Sequence, residues 1–182
     1  RLGSFWAQNR DIDLRLHHSS NALGTAIDHC DIAIAWGDGK WPGLTAEYLF
    51  SISVSPVYAK SGMFRKAPIA NPKDILGFPL IHQHSPQDWQ HWFEKAQITI
   101  PDNLIGTTVE DANLALQATL NGQGVSLGIL QFIEDEIANG QLVRPFELSV
   151  QPSSAYYLIY PDHALRSKSV TITKNWLLEQ LD

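Results

Sequence analysis

A short apolar run that ends in a glycine turn is the feature that most restricts how this chain can fold. The run contains Ile32, Ala33 and Ile34, and the turn Gly37-Asp-Gly39 follows it closely. An apolar run of this length bounded by turn residues is typical of a buried strand. Because the strand ends at glycines, we expect the backbone amides of the turn to be free to meet a ligand. The segment therefore predicts a binding site at a strand end.

Strand and helix patterns alternate along the chain of 182 residues. The predicted strands cover residues 13–17, 31–35, 79–82, 107–109, 125–127, 142–146 and 156–160. The predicted helices cover residues 1–9, 21–28, 88–97, 129–138 and 170–181, with a further helix that begins at residues 110–111 and stops before Gly122. This alternation indicates α/β units with largely parallel sheets.

One extended stretch, residues 48–58, is interrupted by Ser55-Pro56. Proline inside an apolar run argues against the interior of a strand and marks a bend or a crossing point. We interpret Pro56 as a hinge.

Composition excludes several classes of function. A hydrophobic content of 44% supports a buried core, and a formal net charge of −6 argues against nucleic-acid binding by this segment alone. No apolar run approaches the roughly 18 residues of a membrane span, and the first residues lack the pattern of a signal peptide. The single cysteine, Cys30, excludes an internal disulfide and a cysteine-based zinc cluster, which suits a reducing compartment.

Metal, cofactor and catalytic patterns are weak. His82-Gln-His84, with His91 further on, has no third ligand at a motif distance, so we predict no metal site. The segment Gly122-Gln-Gly124 follows a helix and precedes a strand, the reverse of a dinucleotide-binding turn, so we predict no cofactor. Gly124-Val-Ser126-Leu-Gly128 has the letters of a Gly-x-Ser-x-Gly elbow, but Ser126 lies inside the predicted strand 125–127 and not on a turn between a strand and a helix, so we predict no catalytic residue.

Four segments in a fixed order resemble the effector-binding domain of LysR-type transcriptional regulators. They are residues 11–16 (Asp-Ile-Asp-Leu-Arg-Leu), residues 36–44, residues 117–125 with Gly122-Gln-Gly-Val, and residues 140–146 (Gly-Gln-Leu-Val-Arg-Pro-Phe). The resemblance extends over essentially the whole chain. It is greatest to the glycine-cleavage-system activator group, whose members usually show Ile-Arg-Tyr-Gly-Asp-Gly where this chain has Ile34-Ala-Trp-Gly-Asp-Gly39.

The resemblance implies an α/β fold of two Rossmann-like lobes joined by two crossover strands, as in type II periplasmic binding proteins. Lobe I would comprise residues 1–54 and 145–182, and lobe II residues 55–144. The crossovers would lie near residues 53–57 and 144–147, which agrees with the hinge inferred at Pro56. A small-molecule site would lie in the cleft.

The resemblance also implies a function. The chain would be the effector-sensing part of a cytoplasmic bacterial regulator that works as a dimer or tetramer, with no membrane partner. A winged helix-turn-helix domain, absent from this chain, would provide contact with DNA, and RNA polymerase would be a partner of the full-length protein. The alternative is an exported solute-binding protein or an enzyme of the same bilobed fold.

Candidate ligand residues follow from the geometry of open α/β sheets, where ligands lie beyond the carboxyl ends of strands and at helix N-termini. The positions that meet this test are Ser19, Ser20, Trp36, Gly37, Ser55, Pro56, His82, Gln83, Glu110 and Asp111. The resemblance adds Tyr156, at a place that faces the effector in several relatives. Hydroxyls and free amides suit a carboxylate- or amide-bearing metabolite such as an amino acid, over which the Trp36 ring could close.

Several of these residues have a structural explanation as well. Ser19, Ser20 and Asp111 are suitable helix caps in the absence of any ligand. Trp36 could pack between the lobes, and Tyr156 could be a core residue. Ala35 stands where the family usually has arginine, and the loss of that charge near the cleft leaves open whether the effector matches that of close relatives.

Overall fold

The computed structural model describes residues 2–18, 30–61, 64, 69–83 and 85–181. The chain forms two compact units: unit 1 is Arg1–Ser51 with Ser153–Asp182, and unit 2 is Ile52–Pro152. The chain therefore passes from one unit to the other after Ser51 and after Pro152. The sequence had placed these passages after residues 54 and 144.

The described residues contain eight strands and five α-helices. The strands are β1 (Ala33–Gly37), β2 (Thr45–Phe50), β3 (Val54–Ala59), β4 (Leu80–Gln83), β5 (Gly106–Val109), β6 (Val125–Ile129), β7 (Leu142–Val143) and β8 (Ala155–Tyr160). The helices are α1 (Leu2–Gln8), α2 (Gln87–Lys95), α3 (Ala112–Leu120), α4 (Glu134–Ala138) and α5 (Lys168–Glu179). Short 3₁₀ helices cover Pro72–Gly77, Leu130–Phe132 and Asp162–Arg166. Within the described ranges, no helix has the length and apolar content that crossing a membrane requires.

Unit 1 is built on a three-stranded antiparallel sheet in the order β1-β8-β2. On one face, the α5 face, Leu158 and Tyr160 pack against Val170 and Leu177 of α5. On the opposite face, the Trp41 face, a second apolar cluster covers the sheet and contains Ala35, Trp41 and Ile159. Because strand side chains alternate between faces, the neighbouring β8 residues Leu158 and Ile159 contribute to opposite clusters.

Unit 2 is built on a five-stranded mixed sheet in the order β5-β4-β6-β3-β7. Strand β4 is parallel to β5 and β6, whereas β3 is antiparallel to β6 and β7. One core cluster joins Val57, Ile133 and Leu142, with α3 packed on it. Trp89, Trp92 and Phe93 of α2 are fully buried and their rings contact one another.

The prediction of alternating elements is confirmed for the long helices and most strands, but three parts of it are wrong. Residues 12–18 form no strand with the described residues, although their apolar side chains alternate. The predicted helix 129–138 is split, since β6 runs to Ile129 before a 3₁₀ turn and α4. The sheets are not largely parallel in the described residues, because unit 1 is antiparallel throughout. The predicted helix 21–28 lies outside the described residues.

Pro56 lies inside β3, so the expectation that it interrupts a strand is wrong. Val54 exchanges two backbone hydrogen bonds with Val150, at 2.9 and 3.0 Å, on the side of β3 that faces β7. Backbone N–H groups of alternate residues in a strand point to the same side, so the Pro56 nitrogen also faces the β7 side. On that side β3 is paired at Val54 and again from Tyr58, and Pro56 lies in the unpaired gap between them. The missing N–H therefore costs no ladder hydrogen bond. The irregular backbone is at residues 51–53 instead.

Candidate functional site

Two predicted ligand residues, Trp36 and Tyr156, meet at the end of the sheet of unit 1. They are directly opposite each other in the register of β1 and β8, and their ring centroids are 4.9 Å apart. Both side chains are half-buried. Desolvation raises the pKa of the Tyr156 phenol, so its hydroxyl keeps its proton at neutral pH. Gly37 follows Trp36 and pairs with Ala155.

A third ring, Phe50, joins this pair and was missed by sequence reasoning. Its centroid is 5.1 Å from that of Tyr156, on the side of β8 opposite to Trp36. The register of β2 shifts between Tyr48 and Phe50, which inserts Leu49 as an extra residue. Periodicity cannot predict such a bulge, and the sequence placed Phe50 inside the extended stretch 48–58 instead of at a strand end. We call Trp36, Phe50 and Tyr156 the aromatic cluster.

The glycine turn after β1 packs against two aromatic rings, and contact of its amides with a ligand stays a prediction. A Cβ on Gly37 would lie 2.7 Å from the ring of Trp41, and one on Gly39 would lie 2.9 Å from the ring of Tyr157. Gly39 also has a positive φ of 83°. The Lys40 amide donates to Oδ1 of Asp38 at 3.1 Å. The glycines therefore allow the turn to fold onto two rings of the Trp41 face.

The side chain of Ala35 is directed to the face opposite to Trp36. It is buried beside Trp41 and Ile159 on the Trp41 face, whereas Trp36 and Tyr156 share the α5 face. An arginine at position 35 would therefore begin on the other side of the sheet.

In unit 2, Gln83 and the first turn of α3 line one pocket. Parallel strands β4 and β5 end together, with Gln83 opposite Val109. The pocket is mainly apolar, and its lining includes Gln83, Ala112, Asn113, Leu127, Gly128 and Phe132. The Gln83 side chain is half-buried at this position. The sequence rule on strand ends thus brings Gln83 to the N-terminus of α3, as expected.

Two carboxylates already occupy the N-terminus of α3. Asp111 is the N-cap, and its Oδ1 accepts from the Leu114 amide at 2.9 Å, which confirms the capping prediction. The exposed Glu110 precedes it. These two negative charges already interact favourably with the positive end of the helix dipole, so a further anion there is disfavoured.

His82 is buried at the middle of the β4 pairing and makes an internal hydrogen bond. Its Nε2 lies 3.1 Å from the carbonyl oxygen of Leu104, which requires a proton on Nε2. Within the described residues, Nδ1 has no partner. Burial lowers the pKa of His82, so the ring is neutral at pH 7. In this arrangement His82 is a core residue, and its role as a ligand contact remains a prediction.

Ser55 and Pro56 are also buried within unit 2. The Ser55 hydroxyl lies 2.9 Å from the carbonyl oxygen of Leu148, to which it donates, and accepts from Nε of Arg144 at 3.3 Å. Trp92 donates to the same Leu148 oxygen at 3.1 Å. Ser55 therefore helps to hold the segment of residues 144–150 in place, which we call the anchored segment. A ligand role for Ser55 and Pro56 remains a prediction.

The remaining candidates lie outside the described residues. Ser19 and Ser20 belong to this set, and so does His84 of the histidine pattern. In the part of the chain that the structure describes, no three His, Cys, Asp or Glu side chains come close enough to hold a metal ion.

These features can be compared with known proteins. The family model of the LysR substrate binding domain matches residues 1–182, the whole chain. The chain belongs to this family. Its fold is accordingly the two-lobed α/β fold of the type II periplasmic-binding-protein kind.

Curated relatives are regulators of transcription. The glycine cleavage system transcriptional activator of Escherichia coli K12 is 29% identical over 178 residues, which is 98% of this chain and 58% of the relative. The regulator BlaA of Proteus vulgaris is 29% identical over 180 residues, covering 99% of this chain and 60% of the relative. The chain spans about 60% of the length of such relatives. These relatives are transcriptional regulators and not enzymes.

Solved structures agree with this assignment. The effector domain of the regulator AmpR of Pseudomonas aeruginosa has a TM-score of 0.86 and 26% identity, covering 100% of this chain and 86% of that one. The regulatory domain of CrgA from Neisseria meningitidis has a TM-score of 0.79 at 16% identity, covering 100% and 90% of the two chains. The latter similarity concerns the fold alone.

Proposed function

We propose that this chain senses a small metabolite and thereby controls transcription by a full-length LysR-type regulator. Family membership supports the regulatory role, since LysR-type regulators bind small-molecule effectors and act as oligomers on DNA. The observation that carries the ligand-binding part is the cross-strand pair of Trp36 and Tyr156. Two half-buried rings at a strand end combine apolar area with a hydroxyl donor.

The proposed ligand residues fall into two groups according to their present contacts. Trp36, Gly37 and Tyr156 in unit 1, and Gln83 in unit 2, lie at strand ends and are half-buried. These four are the strongest candidates for direct contact. Ser55, Pro56 and His82 are buried, and Asp111 is engaged as a cap, so contact with these residues would require their present interactions to change.

The proposal for the full-length protein goes beyond this chain. We expect a winged helix-turn-helix domain that binds DNA, assembly into a dimer or tetramer, a cytoplasmic location and contact with RNA polymerase. The net charge of −6 supports the assignment of DNA binding to another domain. An effector would act by binding one conformation of the regulator more tightly than another.

A thermal-shift screen of this chain tests the proposal. The panel would contain amino acids, purines and small cell-wall metabolites. A ligand that binds only the folded state stabilises it by about 2.7 kcal/mol at one hundred times its dissociation constant. We expect at least one ligand to raise the melting temperature, and Tyr156→Ala to remove that rise.

Two variants make the screen specific. Tyr156→Phe keeps the ring and removes the hydroxyl, so it separates apolar contact from hydrogen bonding. Tyr48→Ala is the matched control, because Tyr48 is an exposed tyrosine that contacts Tyr157 on the Trp41 face. A ligand response that survives Tyr156→Ala, or the absence of any response across the panel, would contradict the proposal.

A further inference from the structure

We propose that Phe50 determines effector specificity by selecting amino-acid-like metabolites that carry an aromatic or branched apolar side group. This inference rests on the proposed function and adds a residue and a ligand class to it. Phe50 is half-buried, and its ring contacts Tyr156 at a centroid distance of 5.1 Å.

The bulge in β2 is what brings Phe50 to this position. In a regular ladder Leu49 would pair with Tyr156, and Phe50 would be directed to the opposite face. The inserted residue instead places Phe50 opposite Tyr156. Leu49 still packs against the cluster beneath α5, so the side chains of the consecutive residues Leu49 and Phe50 are directed to the same face of the sheet. Bulges that redirect a side chain in this way are frequent beside functional sites.

The chemistry of the aromatic cluster indicates the ligand class. Tyr156 lies on the central strand of the sheet, with Trp36 on β1 and Phe50 on β2 beside it. A ligand packed against the Tyr156 ring would therefore contact the ring of Trp36 on one side and the ring of Phe50 on the other. Phe50 offers no polar atom, so it can contribute only through apolar contact and ring packing. A small zwitterion without a side group would gain nothing from Phe50.

The cluster also adjoins both exits of the chain from unit 1. Phe50 is the residue before Ser51, where the first part of unit 1 ends, and Tyr156 follows shortly after Ser153, where the second part begins. A ligand held by these two rings therefore contacts unit 1 beside the two points at which the chain leaves and re-enters it.

Titration calorimetry with a graded series of ligands tests the inference. The probes are L-alanine, L-leucine, L-phenylalanine and L-tryptophan, which share one head group and differ in apolar side group. We expect affinity to rise along the series. Phe50→Ala should weaken L-phenylalanine binding about tenfold, which corresponds to about 1.4 kcal/mol, and should leave L-alanine unchanged.

Matched variants separate this inference from the proposed function. Phe50→Leu should retain part of the preference, and Tyr48→Ala, on the Trp41 face, should retain all of it. Equal affinity for all four probes, no binding of any of them, or an unchanged preference in Phe50→Ala would overturn the inference. The proposed function would still stand if the thermal-shift panel gave a ligand that depends on Tyr156, and it would fail separately if none did.

Discussion

The aromatic cluster of unit 1 contains two predicted ligand residues, and the anchored segment of unit 2 is bonded to a third, Ser55, yet the two regions are built differently. The cluster consists of half-buried rings that contact one another. The anchored segment is held by hydrogen bonds from buried side chains, among them Ser55 and Trp92. A polar group that already has its hydrogen-bond partners inside its own unit stabilises the fold of that unit. A half-buried ring keeps surface that a ligand can cover.

The sharpest comparison uses the same residue type in both regions. Trp92 is fully buried, contacts Phe146 and donates to Leu148, whereas Trp36 is half-buried. We expect Trp92→Ala to lower the free energy of unfolding by about 3–5 kcal/mol, the usual cost for a buried aromatic residue. Trp36→Ala should cost clearly less. Urea denaturation of the two variants measures both values, and equal losses would remove the distinction between the regions.

A pair of glycines tests whether the turn beside the aromatic cluster is packed. Gly39 and Gly43 both have positive φ, at 83° and 78°, but only a Cβ on Gly39 would meet a ring. Each change to alanine should cost about 1–2 kcal/mol for the left-handed backbone. Gly39→Ala should cost more than Gly43→Ala because of Tyr157.

Denaturant unfolding of the two glycine variants gives this difference directly. Equal destabilisation by Gly39→Ala and Gly43→Ala would mean that the Tyr157 ring can move away from the added methyl group without loss of stability. The turn would then be less tightly packed than its contact with Tyr157 indicates.

The smallest expected change in the free energy of unfolding at neutral pH comes from substituting His82 of unit 2. Its pKa is lowered from 6.5 by burial, so it is neutral in the folded chain. As the pH falls through about 6.5, the unfolded chain binds a proton at this histidine before the folded chain does. Stability should therefore fall towards acid pH and should gain nothing from His82 above neutrality.

Unfolding free energies at pH 5, 6 and 7 check this expectation. His82→Gln should lose less stability between pH 7 and pH 5 than the unmodified chain. His91→Gln is the matched control, because it removes an exposed histidine from α2. An identical pH profile in His82→Gln would show that His82 can accept a proton in the folded state.

The sequence predicted those parts of the fold that depend on local pattern. Helices α2, α3 and α5 and the N-cap at Asp111 follow from apolar spacing and capping chemistry. Pairing partners do not follow from local pattern, which is why the antiparallel sheet of unit 1 was not expected. Pro56 was misinterpreted because its tolerance depends on the unpaired side of β3, a property of the neighbouring strands.

The candidate site was predicted less completely, also for physical reasons. The strand-end rule located Trp36 and Gln83, and the family resemblance located Tyr156. Neither could show that Ser55 and His82 have internal hydrogen-bond partners, since Leu148 and Leu104 are distant in sequence. Phe50 was missed because a single inserted residue changed the face it occupies.

The bulge in β2 also bears on how this domain can diversify. Strand β2 lies at the edge of the described sheet of unit 1 and pairs only with β8 there, so an inserted residue disturbs one neighbour. If the bulge were lost and no residue removed, Leu49 would pair with Tyr156 in place of Phe50, and the Phe50 ring would be directed to the opposite face. A shift of register by one residue at a sheet margin can thus change which side chain a ligand meets beside Tyr156, with the pairing of β1 and β8 unchanged.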